Sequence, residues 1–373
     1  MSKKTLLEEA KQQAEAENIQ RIESLLATVT TLRADNKRLN KQQGNWEQLV
    51  KAFVTRAPTL PKPRSIRLKA KPSKEPQEVV ALLSDTHATE TWTKKQTDGF
   101  TEYNFERFCE HLHYYGQEII RVTMEDRGKF GLKNLHVDIL GDIFQGVLRV
   151  EDEVTNEFPT VLGLTHTTWV IWQWLVGLSE HFETVTVTGM AGNHGRLHHK
   201  PQAKRYVEEN RDTLLYLTLQ RFAEVAGLQD RIRITVPGSR VYTLPRLGHN
   251  IKVGHGDHIK GGNSIAGLPI YGLSRELLRQ FRKAIQDEKQ GGVDLIEYGH
   301  WHQYSMLENM LIINGALCPT GPYAFDALGV LADPTQLVYY TSRKHVMGWR
   351  CPFSLKHGAG KGHPFKYDRE ALT

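Results

Sequence analysis

Apolar positions change their spacing twice along the chain. In residues 1–50, Ile22, Leu25, Val29, Leu32, Asn36 and Leu39 alternate by three and four residues, an a/d heptad seam. Asn36 falls on an a position, where a polar side chain can fix register and oligomer state. Upstream the seam degrades, with Glu15 and Asn18 on the seam positions. The spacing predicts a helix that pairs with copies of itself as a coiled-coil dimer or trimer. It also fits a single amphipathic helix packed on its own globule.

Residues 51–76 carry Pro58, Pro61, Pro63, Pro72 and Pro76, which break regular structure. Eight basic residues, from Lys51 to Lys74, precede the first acid, Glu75. Such a strip suits contact with phosphates, or serves as a solvated semi-rigid spacer.

From Val79 short apolar runs alternate with helical patterns. The runs 79–84, 135–140, 185–188, 232–236, 241–244, 251–253 and 295–298 predict strands. Segments 104–126, 165–178, 202–226 and 270–287 predict helices, and 304–307 with 311–313 a hairpin. Strands alternate with helices early and dominate later. The expected fold is therefore α/β, a two-sheet β-sandwich flanked by helices. The domain reading is a helical block (1–50), a basic linker (51–76) and a globular domain (77–373).

The chain has 373 residues, a net charge of +6 and three cysteines, Cys109, Cys318 and Cys351. It contains no apolar run of 18 residues, so no membrane partner is expected. The polar start is not a signal peptide, and an odd number of scattered cysteines fits reduced thiols. A cytoplasmic location is expected. The positive charge leans mildly toward a polyanionic partner.

Each predicted strand of one set is followed by a motif rich in metal donors: Asp85-Thr86-His87, Gly141-Asp142, Gly192-Asn193-His194, Gly254-His255-Gly256 and Gly299-His300-Trp301-His302. Such strand ends are where α/β sheets place their sites. Asp85 and His87 lie two apart, which in an extended exit puts both side chains on one side. Imidazole and carboxylate donors without cysteine suit Mn²⁺, Fe or Zn²⁺ rather than calcium or a closed structural zinc site.

In this order the motifs resemble the calcineurin-like metallophosphoesterase superfamily over residues 79–317. The resemblance implies two divalent ions, Mn²⁺ first, with Fe or Zn²⁺ as alternatives. Asp85, His87 and His302 would hold one ion, Asn193, His255 and His300 the other, and Asp142 would bridge them. A water between two such ions becomes hydroxide near neutral pH. His194 would stay off the metals and protonate the leaving oxygen. The run Gly141-Asp142-Ile143-Phe144-Gln145-Gly146 is similar to the DNA-repair exonuclease branch. It lacks the phosphate-binding arginine of the protein phosphatases. Gly195 stands where both branches carry an acid, which leaves open what orients His194.

Arg196, His198, His199 and Lys200 after the third motif, and His258 and Lys260 after the fourth, form a candidate basic rim for substrate. The expected activity is a phosphodiesterase or nuclease with DNA as partner. Alternatives are a phosphatase or phosphodiesterase for phosphoproteins or small nucleotides, and a coiled-coil scaffold whose metallo-domain is not catalytic. A homo-oligomer through residues 1–50 is the expected assembly. His111, His113 and His166, on predicted helices away from the motifs, read as structural.

Overall fold

Eleven strands among the described residues form two sheets. The computed structural model describes Thr30 and residues 74–146, 155–198, 204–260, 267–286 and 292–368. The heptad block and nearly all of the linker lie outside these residues, as do His199 and Lys200. The chain divides into two units, residues 1–56 and 57–373, and the fold below belongs to the second.

The first sheet runs β11 (Arg350–Ser354), β10 (Thr335–Thr341), β1 (Glu78–Leu83), β2 (Asn134–Ile139), β3 (Thr184–Gly189) and β4 (Ile232–Thr235). β1 to β4 are parallel, while β10 pairs antiparallel with β1. The second sheet runs β5 (Val241–Arg246), β6 (His249–Gly254), β7 (Leu295–Tyr298), β9 (Leu311–Ile313) and β8 (Ser305–Leu307). β6, β7 and β9 are parallel neighbours.

The period of two explains how the sheets face each other. Val80, Leu82, Leu337 and Tyr339 of the first sheet meet Ile251, Val253, Leu295 and Ile312 of the second in one buried cluster. The alternate β1 positions, Val79, Ala81 and Leu83, are also fully buried, because helices cover the other face. That double burial is why β1 reads as a continuous apolar run rather than an alternating one. Helix α1 (Phe105–Phe130) is fastened there by Tyr115, whose hydroxyl donates to Leu82 O and Leu337 O at 2.8 and 2.9 Å. α2 (Thr160–Ser179) and α3 (Arg211–Val225) complete this layer. α4 (Ile270–Gln286) lays Leu273 and Leu277 on Ile296, Tyr298, Leu311 and Ile313 of the second sheet. No helix among the described residues is long and apolar enough to cross a membrane, the apolar α2 included.

A polar clasp sits inside this apolar seam. Buried Arg246 on β5 donates to Asp138 on β2 at 2.6 Å and to the Tyr339 hydroxyl on β10 at 3.1 Å. The Tyr339 hydroxyl in turn donates to Glu297 on β7 at 2.5 Å. Burial, and then repulsion from Asp138, pushes the Glu297 carboxyl well above the usual carboxylate range. One guanidinium thus holds two carboxyl groups from opposite sheets.

Three parts differ from the sequence expectation. The helix expected over 202–226 begins at Arg211. Asn210 terminates it upstream by accepting from the Asp212 N–H, an N-cap. Strands β10 and β11, with the short helix α5 (Pro322–Leu328), lie beyond the predicted elements. Strand β10 enters beside β1 from over 250 residues away, a pairing local pattern does not encode.

Candidate metal centre

Strands β1, β2, β3, β6 and β7 each end one or a few residues before a donor motif. The loops then bind each other. Asp85 N–H donates to Gly141 O at 3.0 Å, His87 N–H to Asp142 O at 3.1 Å, and Gly299 N–H to His255 O at 2.9 Å. The five motifs therefore form one layer of interlocked turns.

The backbone there is strained. Asp85, His87, Asp142, His300 and His302 all have left-handed φ, between 43° and 78°. They are five of the nine non-glycine residues with positive φ among those described. Each costs on the order of 1–3 kcal/mol, and such outliers cluster where function fixes them. This corrects the extended-exit geometry: Asp85 and His87 reach a common site through left-handed turns. Packing is equally tight. A Cβ on Gly192 would fall 2.1 Å from Asp142 Oδ1, and one on Gly299 2.6 Å from Asp85 Oδ2. Only glycine leaves room for the carboxylates at these two positions.

The donors converge in two overlapping halves. His87 Nε2 lies 3.2 Å from His302 Nε2, which is 3.5 Å from Asp85 Oδ1. In the other half His255 Nε2 lies 2.9 Å from Asp142 Oδ2, 3.0 Å from Asn193 Oδ1 and 3.2 Å from His300 Nδ1. Asp142 belongs to two donor groups, with His87 and His194 and with His255 and His300. It is thus the single donor shared between the halves.

Hydrogen bonds outside this ring aim the imidazoles. His255 Nδ1 faces Leu140 O at 2.8 Å, and His87 Nδ1 faces the Gln145 amide oxygen at 2.5 Å. Both partners only accept, so Nδ1 carries the proton and Nε2 is left to coordinate. His255 Nε2 then faces two acceptors, a carboxylate oxygen and an amide oxygen, and the His300 Nδ1 nitrogen. Burial opposes a charge on His255, but the Asp142 carboxylate overrides it and pushes the imidazole up to about 10. A divalent cation among these oxygens and nitrogens would meet the same carboxylate and amide oxygen. The donor set therefore fits divalent ions: Asp85, His87 and His302 would hold one, and Asn193, His255 and His300 the other. Buried Cys318 adds a sulfur 3.9 Å from His302 Nδ1, a neighbour the motifs did not reveal.

His194 lies beside this ring and shares a donor group with His87 and Asp142. Its imidazole meets His87 edge-on at 4.6 Å, its backbone N–H donates to Asp142 Oδ1 at 2.7 Å, and its Nδ1 is buried without a partner. Burial first, and the surrounding imidazoles after it, push His194 down to about 3 against the pull of Asp142.

No acid side chain among the described residues meets the His194 ring nitrogen Nδ1, but a buried acid from α3 lies beside Gly195. A Cβ on Gly195 would lie 2.1 Å from Asn210 Oδ1 and 3.1 Å from Asp212 Cγ. Fully buried Asp212 occupies that region from the start of α3. It accepts from Asp142 N–H and Gly192 N–H at 2.9 Å each, and from Phe144 N–H at 3.3 Å. Asn210 donates to Gly192 O at 2.8 Å. Two loops that carry donors are thus tied to one carboxylate. Asp212→Ala is expected to weaken Mn²⁺ binding about 10- to 100-fold, as loss of ligand-orienting partners does. Calorimetric titration checks this, and an unchanged affinity refutes the role.

The candidate rim is placed differently from the donors. His198 pairs with Glu209 at 2.7 Å, which Arg205 also contacts at 2.9 Å. Arg196 pairs its backbone with Asn210. His258 packs edge-on against Tyr298, and Lys260 is exposed. None of these four lines the cavity of about 600 Å³ that opens over the donors. A smaller cavity of about 370 Å³ between α1 and α2, beside Trp174 and Phe365, contains no donor motif. Of the helical histidines, His111 is buried with Nδ1 against Leu317 O at 3.0 Å, and burial lowers it to about 4. It is a structural donor below the site.

Fold and site together define a two-sheet α/β protein with candidate metal donors gathered at its strand ends. No family model and no curated protein matches the chain. Among solved structures it is similar to a dimetal phosphatase from Danio rerio, with 11% identity over 76% of this chain and 100% of that one, at a TM-score of 0.36. It is also similar to a predicted phosphoesterase from Streptococcus pneumoniae TIGR4, with 12% identity over 74% and 98%, at 0.27. Vacuolar protein sorting 29 from Cryptosporidium parvum gives 12% over 74% and 98%, at 0.31. At these scores the likeness bears no weight, and the site's own geometry carries the chemistry.

Proposed function

We propose that this chain is a calcineurin-like, dinuclear-metal-dependent phosphoester hydrolase that acts as a phosphodiesterase on nucleic acid, with DNA as the first candidate. The observation that carries it is that Asp142 falls in two donor groups at once, one with His87 and one with His255 and His300, with Asp85, Asn193 and His302 beside them. A donor set shared between two ions is what two-metal phosphoester hydrolases require. When bound, the ions supply an activated water and neutralise charge on the phosphate.

The protein's own groups do the rest. Gln145 and Leu140 O hold the imidazoles in the tautomer that coordinates. Asp212 keeps the second and third motif loops in register. His194, which lines the cavity and meets His87 edge-on, is the candidate to protonate the leaving oxygen. A phosphate ester against it brings the negative charge that favours its protonated form. Mn²⁺ is the first choice of ion, with Fe or Zn²⁺ next.

Nucleic acid as the substrate rests on the basic strip within residues 51–76 and the net charge of +6. The test is one assay with Mn²⁺ and single-stranded DNA, duplex DNA, RNA, a chromogenic diester and a monoester. Cleavage of a nucleic acid and the diester is expected. Cleavage of the monoester alone makes the protein a phosphatase. Metal binding with no turnover makes it a scaffold. The heptad seam carries a separate expectation. Removing residues 1–50 should reduce an oligomer to a monomer by light scattering, and an unchanged mass per particle, after allowing for the deletion, rejects the coiled coil.

A further inference from the structure

The cavity over the donors has two kinds of lining. One is the donor ring. The other is aromatic and amide, namely Trp92, Trp301 and Tyr323 with Gln96 and Gln303, and Trp301 meets the donor His300 edge-on at 5.3 Å. No lysine or arginine lines it among the described residues, and its one glutamate, Glu90, lies 3.9 Å from His87 Nδ1. Beyond the donors, a substrate therefore meets no cation among the described residues to hold further phosphates. Aromatic faces with amide groups suit a neutral planar ring with polar edges.

From this wall we infer a nucleobase subsite, in which the base next to the reacting phosphate leaves its stack and lies against Trp301 and Tyr323. The subsite rests on the phosphoester reading above. Its volume is adequate: about 600 Å³ falls in the range of small-ligand pockets. Its surfaces are held from different sides. Trp301 is backed by Gly256, where a Cβ would fall 2.9 Å from the indole. Tyr323 stands on α5 and is 57% exposed. Trp92 is fixed by its N–H to the Thr101 hydroxyl at 3.1 Å and by Tyr103, ring to ring at 5.0 Å. The Gln96 amide oxygen accepts from the Thr93 N–H and hydroxyl at 2.9 and 3.1 Å, and its NH2 group is a donor of the kind that base edges meet. The site selects an unpaired nucleotide, since a base inside a duplex does not reach a cavity wall.

The test uses the full chain with Mn²⁺ and calorimetric titration of thymidine 5′-monophosphate, deoxyribose 5-phosphate and inorganic phosphate. Wild type is expected to bind the nucleotide about 5- to 150-fold more tightly than the base-free sugar phosphate. Trp301→Ala and Tyr323→Ala should each remove part of that preference and leave phosphate binding unchanged, and Trp301→Phe should restore it. Equal affinity for nucleotide and sugar phosphate in wild type overturns the subsite, even if diesters are cleaved. So does a Trp301→Ala loss shared equally by all three ligands and not rescued by phenylalanine. A base preference without hydrolysis of any phosphoester upholds the subsite and overturns the hydrolase.

Discussion

Asp142→Asn is expected to lower kcat on a diester about a thousandfold and to reduce bound Mn²⁺ from two ions per chain to one or none. Asp142 is buried, is shared by both donor groups, and lies 2.9 Å from His255 Nε2. An amide keeps the shape and one oxygen but removes the charge that would join two cations. Losing a few kcal/mol of metal-based stabilisation of the transition state, about 4, corresponds to that rate loss. The fold should survive, because asparagine can still accept from the His194 N–H through its amide oxygen. Retained full turnover with two ions bound would refute the bridge.

Arg246→Met is expected to cost about 3–5 kcal/mol of folding stability, the cost of breaking a buried ion pair from one side. It would leave Asp138 and Glu297 facing each other between the sheets, and Asp138 Oδ1 and Glu297 Oε2 already have no other partner. Denaturant unfolding measures this directly through the midpoint. Replacing all three members together, with Asp138→Leu and Glu297→Leu, should recover much of the loss, since the desolvated charges go too. A loss below about 1 kcal/mol for Arg246→Met would mean the clasp does not hold the sheets.

Donor motifs were legible in the sequence because each interrupts an apolar run at a strand end, and polar residues there stand out. Their convergence also fits the order in which the strands recur. Three features were not legible, each for a physical reason. The left-handed turns at Asp85 and His87 are set by loop-to-loop hydrogen bonds, which spacing does not reveal. Asp212 looks like an ordinary first-turn acid on a helix, and its three backbone partners lie 20 to 70 residues earlier. Cys318 is one residue beyond the span of the resemblance, and comes to His302 only because 314–318 folds back under β1. Asn210-Arg211-Asp212, an N-cap followed by an acid, is the local signal that marks the start of α3. The basic rim shows the opposite limit. A run of charge in sequence says nothing of direction, and His198 and Arg205 turn to Glu209 rather than to the cavity.

The most direct test titrates Mn²⁺ into metal-free full-length protein while diester hydrolysis and bound metal are followed together. Two ions should bind per chain, with hydrolysis rising as the second one fills. Saturation at one ion with full activity, or two ions bound and no phosphoester cleaved, would contradict the account.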